Sequence, residues 1–126
     1  MSLRSPLARV LGLGAAGDGP AHWWSQRVSA VALALLAGWF LISALGLELG
    51  SQAAVSVWLA EPLHTVLMIL LTGVLAYHSA IGFQVVIEDY TAGWVRIAGL
   101  LVVQFLHFLL AAIAIVAILR VAFGVA

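Results

Sequence analysis

The chain has 126 residues, of which 65% are hydrophobic and 8% charged, and its formal net charge is zero. A soluble domain carries about 25% charged residues, so this composition excludes a water-facing globule and predicts a single integral membrane domain over residues 1–126. With no cysteine, the chain alone can form no disulfide, thiolate metal site or iron–sulfur cluster.

Residues 1–21 are rich in Gly, Ala and Ser and contain Pro6 and Pro20. They predict an irregular or surface-lying lead with one short helix near residues 6–11. No apolar core of signal-peptide length precedes Gly12, so no cleaved signal is expected. His22-Trp23-Trp24-Ser25-Gln26-Arg27 closes a cytosolic or interfacial segment, 1–27, because paired tryptophans beside an arginine suit a membrane interface. Residues 28–47 carry no charge and are long enough for one crossing. Between Glu48 and Glu61 the run breaks: Gly46 and Gly50 weaken the helix, and residues 53–60 with Trp58 suit a segment lying along the surface. Pro62 fits the first turn of a second spanning helix over 63–87. Residues 88–96, with Gly93 and Trp94, read as a short polar connection, and a third span follows over 97–119, with Arg120 near its far end. The expected fold is therefore all-α, with three transmembrane helices.

Three crossings put the N-terminus and the 88–96 connection on one side. Arg4, Arg9, Arg27 and Arg96 fall there, against Arg120 alone opposite, and the chain has no lysine. The excess of positive charge predicts that this side is cytoplasmic, or the equivalent matrix side. There is no nucleotide loop, Ser-His-Asp order, zinc-ligand spacing or basic patch for nucleic acid.

His78 is the leading chemical candidate. In a helix it lies about 16 Å inside Asp89, roughly half of a hydrocarbon core about 30 Å thick. A titratable ring at that depth is costly and normally faces a bundle interior or a cofactor. Gly82, one turn on, shares its face, and the missing side chain lets something flat approach the backbone beside the imidazole. The functional reading is an axial haem ligand; the bland one is a histidine hydrogen-bonded to a neighbouring helix. His107 is a rival at similar depth in the third helix. His64, about 21 Å from His78 on nearly the same face, would suit a second stacked haem, although its place at the helix start favours an interfacial histidine. Arg27 is either a snorkelling anchor or a partner for an anionic cofactor group, with His22 able to assist. Ser29 reads as a small residue packed at a helix interface. Asp89 and Tyr90 are either belt residues or a phenol and carboxylate suited to protonating a quinone carbonyl.

The spacing His78-x3-Gly82-x6-Asp89-Tyr90, together with the stretch His22-Trp23-Trp24-Ser25-Gln26-Arg27-Val28-Ser29-Ala30, resembles the hydrophobic membrane-anchor subunit of succinate dehydrogenase, respiratory complex II. The resemblance covers roughly residues 20–120. It implies a three-helix anchor in a bacterial inner membrane, or the mitochondrial equivalent, that is not catalytic alone. It implies partners: a cytochrome b556 anchor subunit, an iron–sulfur subunit and a flavoprotein subunit. It implies one haem b shared with the sister anchor, with His78 as axial ligand and Arg27, with His22, at a propionate. It also implies a ubiquinone pocket where Tyr90 donates a hydrogen bond and Asp89 lies close by. His107 has no counterpart in that pattern. Two other readings stand beside it: a non-redox three-helix scaffold, and a cytochrome b-type subunit with His78 and His107 as its ligands.

Overall fold

A chain inside a bilayer must satisfy its backbone N–H and C=O groups internally, and a helix does so within a single segment. The computed structural model describes residues 19–124. The short helix expected near residues 6–11, and Arg4 and Arg9, lie outside the described residues. Among the described residues four helices follow one another: α1 (Gly19–Leu45), α2 (Gln52–Ala60), α3 (Pro62–Tyr90) and α4 (Gly93–Ala122). Three are long and apolar enough to cross a membrane, over Pro20–Leu45, Pro62–Tyr90 and Gly93–Ala122. The protein is an all-α membrane protein with three spanning helices.

The helices run past the apolar stretches that announce them. At 1.5 Å per residue a 29-residue helix is about 43 Å long, so the ends of α3 extend beyond a hydrocarbon core of about 30 Å. α1 already includes His22–Arg27, with Pro20 in its first turn where a missing N–H costs nothing. The connection read as 88–96 shrinks to Thr91 and Ala92, and Glu88, Asp89 and Tyr90 form the last turn of α3. Local bonding explains this extension. Gln84 donates to Glu88 at 2.9 Å, one turn on, and the Thr91 N–H and hydroxyl both bond the Ile87 carbonyl, at 3.0 and 2.6 Å. Gly93 then takes φ +61°, which L side chains rarely adopt, and the chain reverses there.

α3 lies between α1 and α4 and is antiparallel to both, while α1 and α4 do not touch. Ser29 of α1 meets His78, and Gln26 meets Gly82. On the other flank His107 of α4 meets Ser79, and Gly99 lets α4 approach Ile87. α2 caps the far end against α3 and α4. Its N-cap Ser51 accepts from the Ala54 N–H at 3.2 Å. Trp58 of α2 stacks between Trp39 of α1, at 5.8 Å, and His64 of α3, at 4.4 Å. Thr65 donates to the Leu59 carbonyl at 2.5 Å and is buried.

Little of the chain is buried against itself. Among the described residues the buried apolar side chains are Leu59, Ile81 and Ile118, and the buried polar ones are Ser29 and Thr65. The three spans form a layer one helix thick, and both of its faces present apolar side chains outward.

Candidate functional site

Ser29 and His78 meet where α1 crosses α3, with the Ser29 oxygen 2.9 Å from His78 Nδ1. Ser29 is 6% exposed, so the contact is shielded from competing partners. The same hydroxyl lies 3.1 Å from the Gln26 carbonyl, one turn back on α1. A carbonyl only accepts, so the Ser29 proton goes to Gln26 and its oxygen accepts from His78 Nδ1–H. This network assigns the proton of His78 to Nδ1 and leaves a lone pair on Nε2. Nε2 makes no hydrogen bond among the described residues and is not buried.

His107 provides an internal contrast. Its Nδ1 lies 2.8 Å from the Val103 carbonyl, to which it must donate. Its Nε2 then accepts from the Ser79 hydroxyl at 3.0 Å. Both nitrogens are engaged, and Phe83 covers the ring at 5.6 Å between centroids. His64 is held differently again. It donates from Nδ1 to the Trp58 carbonyl at 2.9 Å, with Glu61 at 3.3 Å, inside the tryptophan cluster at the far end. His107 uses both ring nitrogens, whereas His64 and His78 each engage Nδ1 alone. The His64 ring is stacked on Trp58 and Trp39, while His78 borders a groove.

His78 opens on a groove of about 270 Å³ along one face of the layer, lined by Gln26, His78, Ser79, Gly82, Phe83 and Val86. Gly82 is its floor. A Cβ placed there would lie 3.7 Å from Gln26 Nε2, so the notch that glycine leaves is bordered by an amide. The Gln26 Oε1 and His22 Nε2 atoms are buried with no hydrogen-bond partner among the described residues. Buried polar atoms normally have partners, so two orphans one helical turn apart mark a place where another molecule or a water belongs.

The remaining candidates lie towards the Glu88 end. Arg27 is exposed, and its guanidinium sits over the Trp23 ring at 5.4 Å; the hydrogen bond of His78 goes to Ser29 instead. Asp89 is exposed, and Tyr90 is 85% exposed on the last turn of α3. Both are about 16–18 Å along the helix from His78, so they and His78 form two separate places on one element. Arg96 lies 3.7 Å from Glu88 across the turn.

A family model for the succinate dehydrogenase/fumarate reductase transmembrane subunit matches residues 1–119. The chain belongs to this family. It is 31% identical to the succinate dehydrogenase hydrophobic membrane anchor subunit of Paracoccus denitrificans over 123 residues, covering 95% of this chain and 93% of that one. It is also 32% identical to the subunit of the same description from Rickettsia bellii over 88 residues, 69% of this chain and 70% of the relative. No solved structure matches the chain. Its role is that of a membrane anchor subunit of succinate dehydrogenase, which works with other subunits of the complex and with the bilayer.

An anchor of this kind accounts for the thin layer. Its apolar outer surface meets lipid and neighbouring subunits rather than its own core. Two residues that the structure brings to His78 and the Gly82 groove were not legible as site residues in the sequence. Ser29 reads there as a packing residue, and Gln26 carries no reading of its own. The available signal was the spacing His22, Gln26, Ser29, which places three polar side chains on one face of α1 within an apolar helix.

Proposed function

We infer that this chain is one half of a haem-bearing anchor pair in a succinate:ubiquinone oxidoreductase. His78 is its axial ligand to a haem b shared with a cytochrome b556 sister subunit. The observation that carries this reading is the unengaged Nε2 of His78, held by Ser29 and open onto the Gly82 groove. His107, by contrast, uses both ring nitrogens within the chain, and His64, which keeps one, is stacked on Trp58 and Trp39 rather than set beside a groove. That contrast favours the haem reading over a non-redox scaffold. It also disfavours His78 and His107 as a ligand pair within one chain, since His107 would first have to give up a hydrogen bond.

The residues around the groove fit such a group. Gly82 removes the side chain that would block a flat ring, and Gln26 and His22 hold buried polar atoms in want of partners. When bound, haem supplies a one-electron redox centre between the soluble subunits and the membrane. Arg27, with its charge outside the apolar layer, is placed to turn from Trp23 to a propionate, with His22 beside it on the same helix. Tyr90 and Asp89 border the ubiquinone site, where Tyr90 donates to a quinone carbonyl and Asp89 passes a proton. Their exposure suits a pocket completed by the iron–sulfur subunit, with the flavoprotein subunit carried beyond it. The Glu88 end and the N-terminus face the cytoplasm of a bacterial inner membrane.

The test is a reduced-minus-oxidised visible spectrum of the purified complex carrying His78→Ala or His107→Ala. Loss or shift of a b-type band in His78→Ala, with an unchanged band in His107→Ala, is the expected result. An altered band in His107→Ala beside an unchanged one in His78→Ala reverses the assignment. No b-type band in the unaltered complex refutes the haem reading altogether.

A further inference from the structure

We propose that Ser29 is a positioning residue for His78: it holds the imidazole as the Nδ1–H tautomer and turns Nε2 into the Gly82 groove. The inference rests on the haem reading above and names the group on α1 that makes His78 competent as a ligand.

Three observations converge on Ser29. Its oxygen is 2.9 Å from His78 Nδ1. Its own proton is committed to the Gln26 carbonyl at 3.1 Å, which leaves the oxygen free only to accept. It is one of the two buried polar side chains among the described residues, so no solvent competes for the ring. In the reversed arrangement Ser29 donates to Nδ1, and His78 carries its proton on Nε2. That proton would have no acceptor among the described residues, and the contact from the hydroxyl to Gln26 would be lost. The arrangement with both bonds formed is therefore favoured, and it is the one that gives a metal its lone pair.

The chemistry follows from the direction of the bond. A ligating imidazole that donates its other N–H is fixed in orientation and made more basic, which favours the ferric state of a bound iron. Ser29 does this from a different helix than the ligand it serves. The bond thus couples ligand geometry to the docking of α1 on α3, and substitutions that shift α1 will act on the haem without touching it.

The experiment uses the complete complex with Ser29→Thr and Ser29→Val, two β-branched side chains of similar volume that differ by a hydroxyl. Haem content, the low-temperature electron paramagnetic resonance spectrum and the haem midpoint potential are measured beside His78→Ala. The expected result is that Ser29→Val raises the midpoint potential, alters the low-spin signal and weakens haem retention by about tenfold, the lower end of the loss typical for removing such a partner. Ser29→Thr restores all three. If Ser29→Val matches the unaltered complex in potential and signal while His78→Ala loses the axial signature, the positioning role is overturned and the haem reading stands. If Ser29→Thr and Ser29→Val are equally impaired, the effect is one of packing and the role is again overturned. An unchanged spectrum in His78→Ala removes the haem reading itself, and the role of Ser29 with it. Should Ser29→Val fail to assemble, Ser29→Ala beside Ser29→Thr makes the same comparison with a smaller side chain.

Discussion

His78 and His107 lie at the same depth on adjoining helices, and one nitrogen separates their roles. His107 spends Nδ1 on its own helix and Nε2 on Ser79, which ties α4 to α3. A hydrogen bond between membrane helices contributes on average about 0.6 kcal/mol, so His107 serves the packing modestly. His78 spends one nitrogen on Ser29 and keeps the other. At the same scale, Tyr90 has almost no contact within the chain, and its hydroxyl contributes nothing to this fold by itself. Tyr90→Phe should therefore leave assembly and haem content intact and impair only ubiquinone reduction. Loss of one hydrogen bond to a neutral acceptor is worth about 0.5–1.5 kcal/mol, or roughly a two- to twelvefold effect on quinone affinity. A larger fall in turnover is expected if the phenol also orients the carbonyl for protonation, and Asp89→Asn should then lower turnover as well. Succinate oxidation with an artificial acceptor at the soluble subunits serves as the control and should survive both changes. Unchanged quinone kinetics in Tyr90→Phe would return this residue to the aromatic belt.

At the scale of the element, α3 is the helix to which the candidate sites belong. It carries His78 on the side of α1, Ser79 on the side of α4, Gly82 on the open face and Asp89-Tyr90 at its end. Two glycines set how closely its neighbours come. At Gly99 of α4 a Cβ would meet the Ile87 side chain at 3.4 Å, at the tight edge of ordinary contact, so this position governs the α3–α4 approach. At Gly82 a Cβ would sit 3.7 Å from the end of the flexible Gln26 side chain, an ordinary contact. Gly82→Ala should accordingly leave the complex assembled. Gly82→Leu should fill the groove beside His78 and lower haem content, while the chain still inserts and the soluble subunits still dock. Full haem in a well-assembled Gly82→Leu complex would show that the cofactor does not lie over this notch.

For the whole molecule, the decisive property is that α1 and α4 never meet. Three helices in a layer bury few side chains, so the chain depends on lipid and on neighbouring subunits to cover both faces. Orientation is also a property of the whole chain, set by the asymmetry of a few arginines. Because the chain has no cysteine, a single cysteine placed in the α1–α2 turn or in the α3–α4 turn reports topology directly. In right-side-out vesicles a membrane-impermeant maleimide should modify Gly50→Cys in the turn before α2. Ala92→Cys in the α3–α4 turn should be protected until the membrane is opened. The opposite pattern would place Tyr90 on the outer side and separate it from any cytoplasmic iron–sulfur partner.

The number of spans, their order and the place of His78 in the middle of one of them were legible in the amino-acid order, because hydropathy sums along about 20 residues and needs no knowledge of neighbours. The pairing of His78 with Gly82, four residues apart on one face, was legible for the same reason: helical geometry alone places them together. The ends of the helices were less so. Glu88, Asp89 and Tyr90 look like a loop by polarity, yet the Gln84–Glu88 and Thr91–Ile87 bonds continue α3 through them. What only the packed helices decided is the division of labour between neighbours. His78 and Ser79 are consecutive, but successive residues point about 100° apart on a helix, so one faces α1 and the other α4. The rotation and register that bring Ser29 to the first and His107 to the second depend on contacts worth little individually. No pattern in a single strand of letters encodes them, and with them comes the difference between a histidine that is used up and one that is left open.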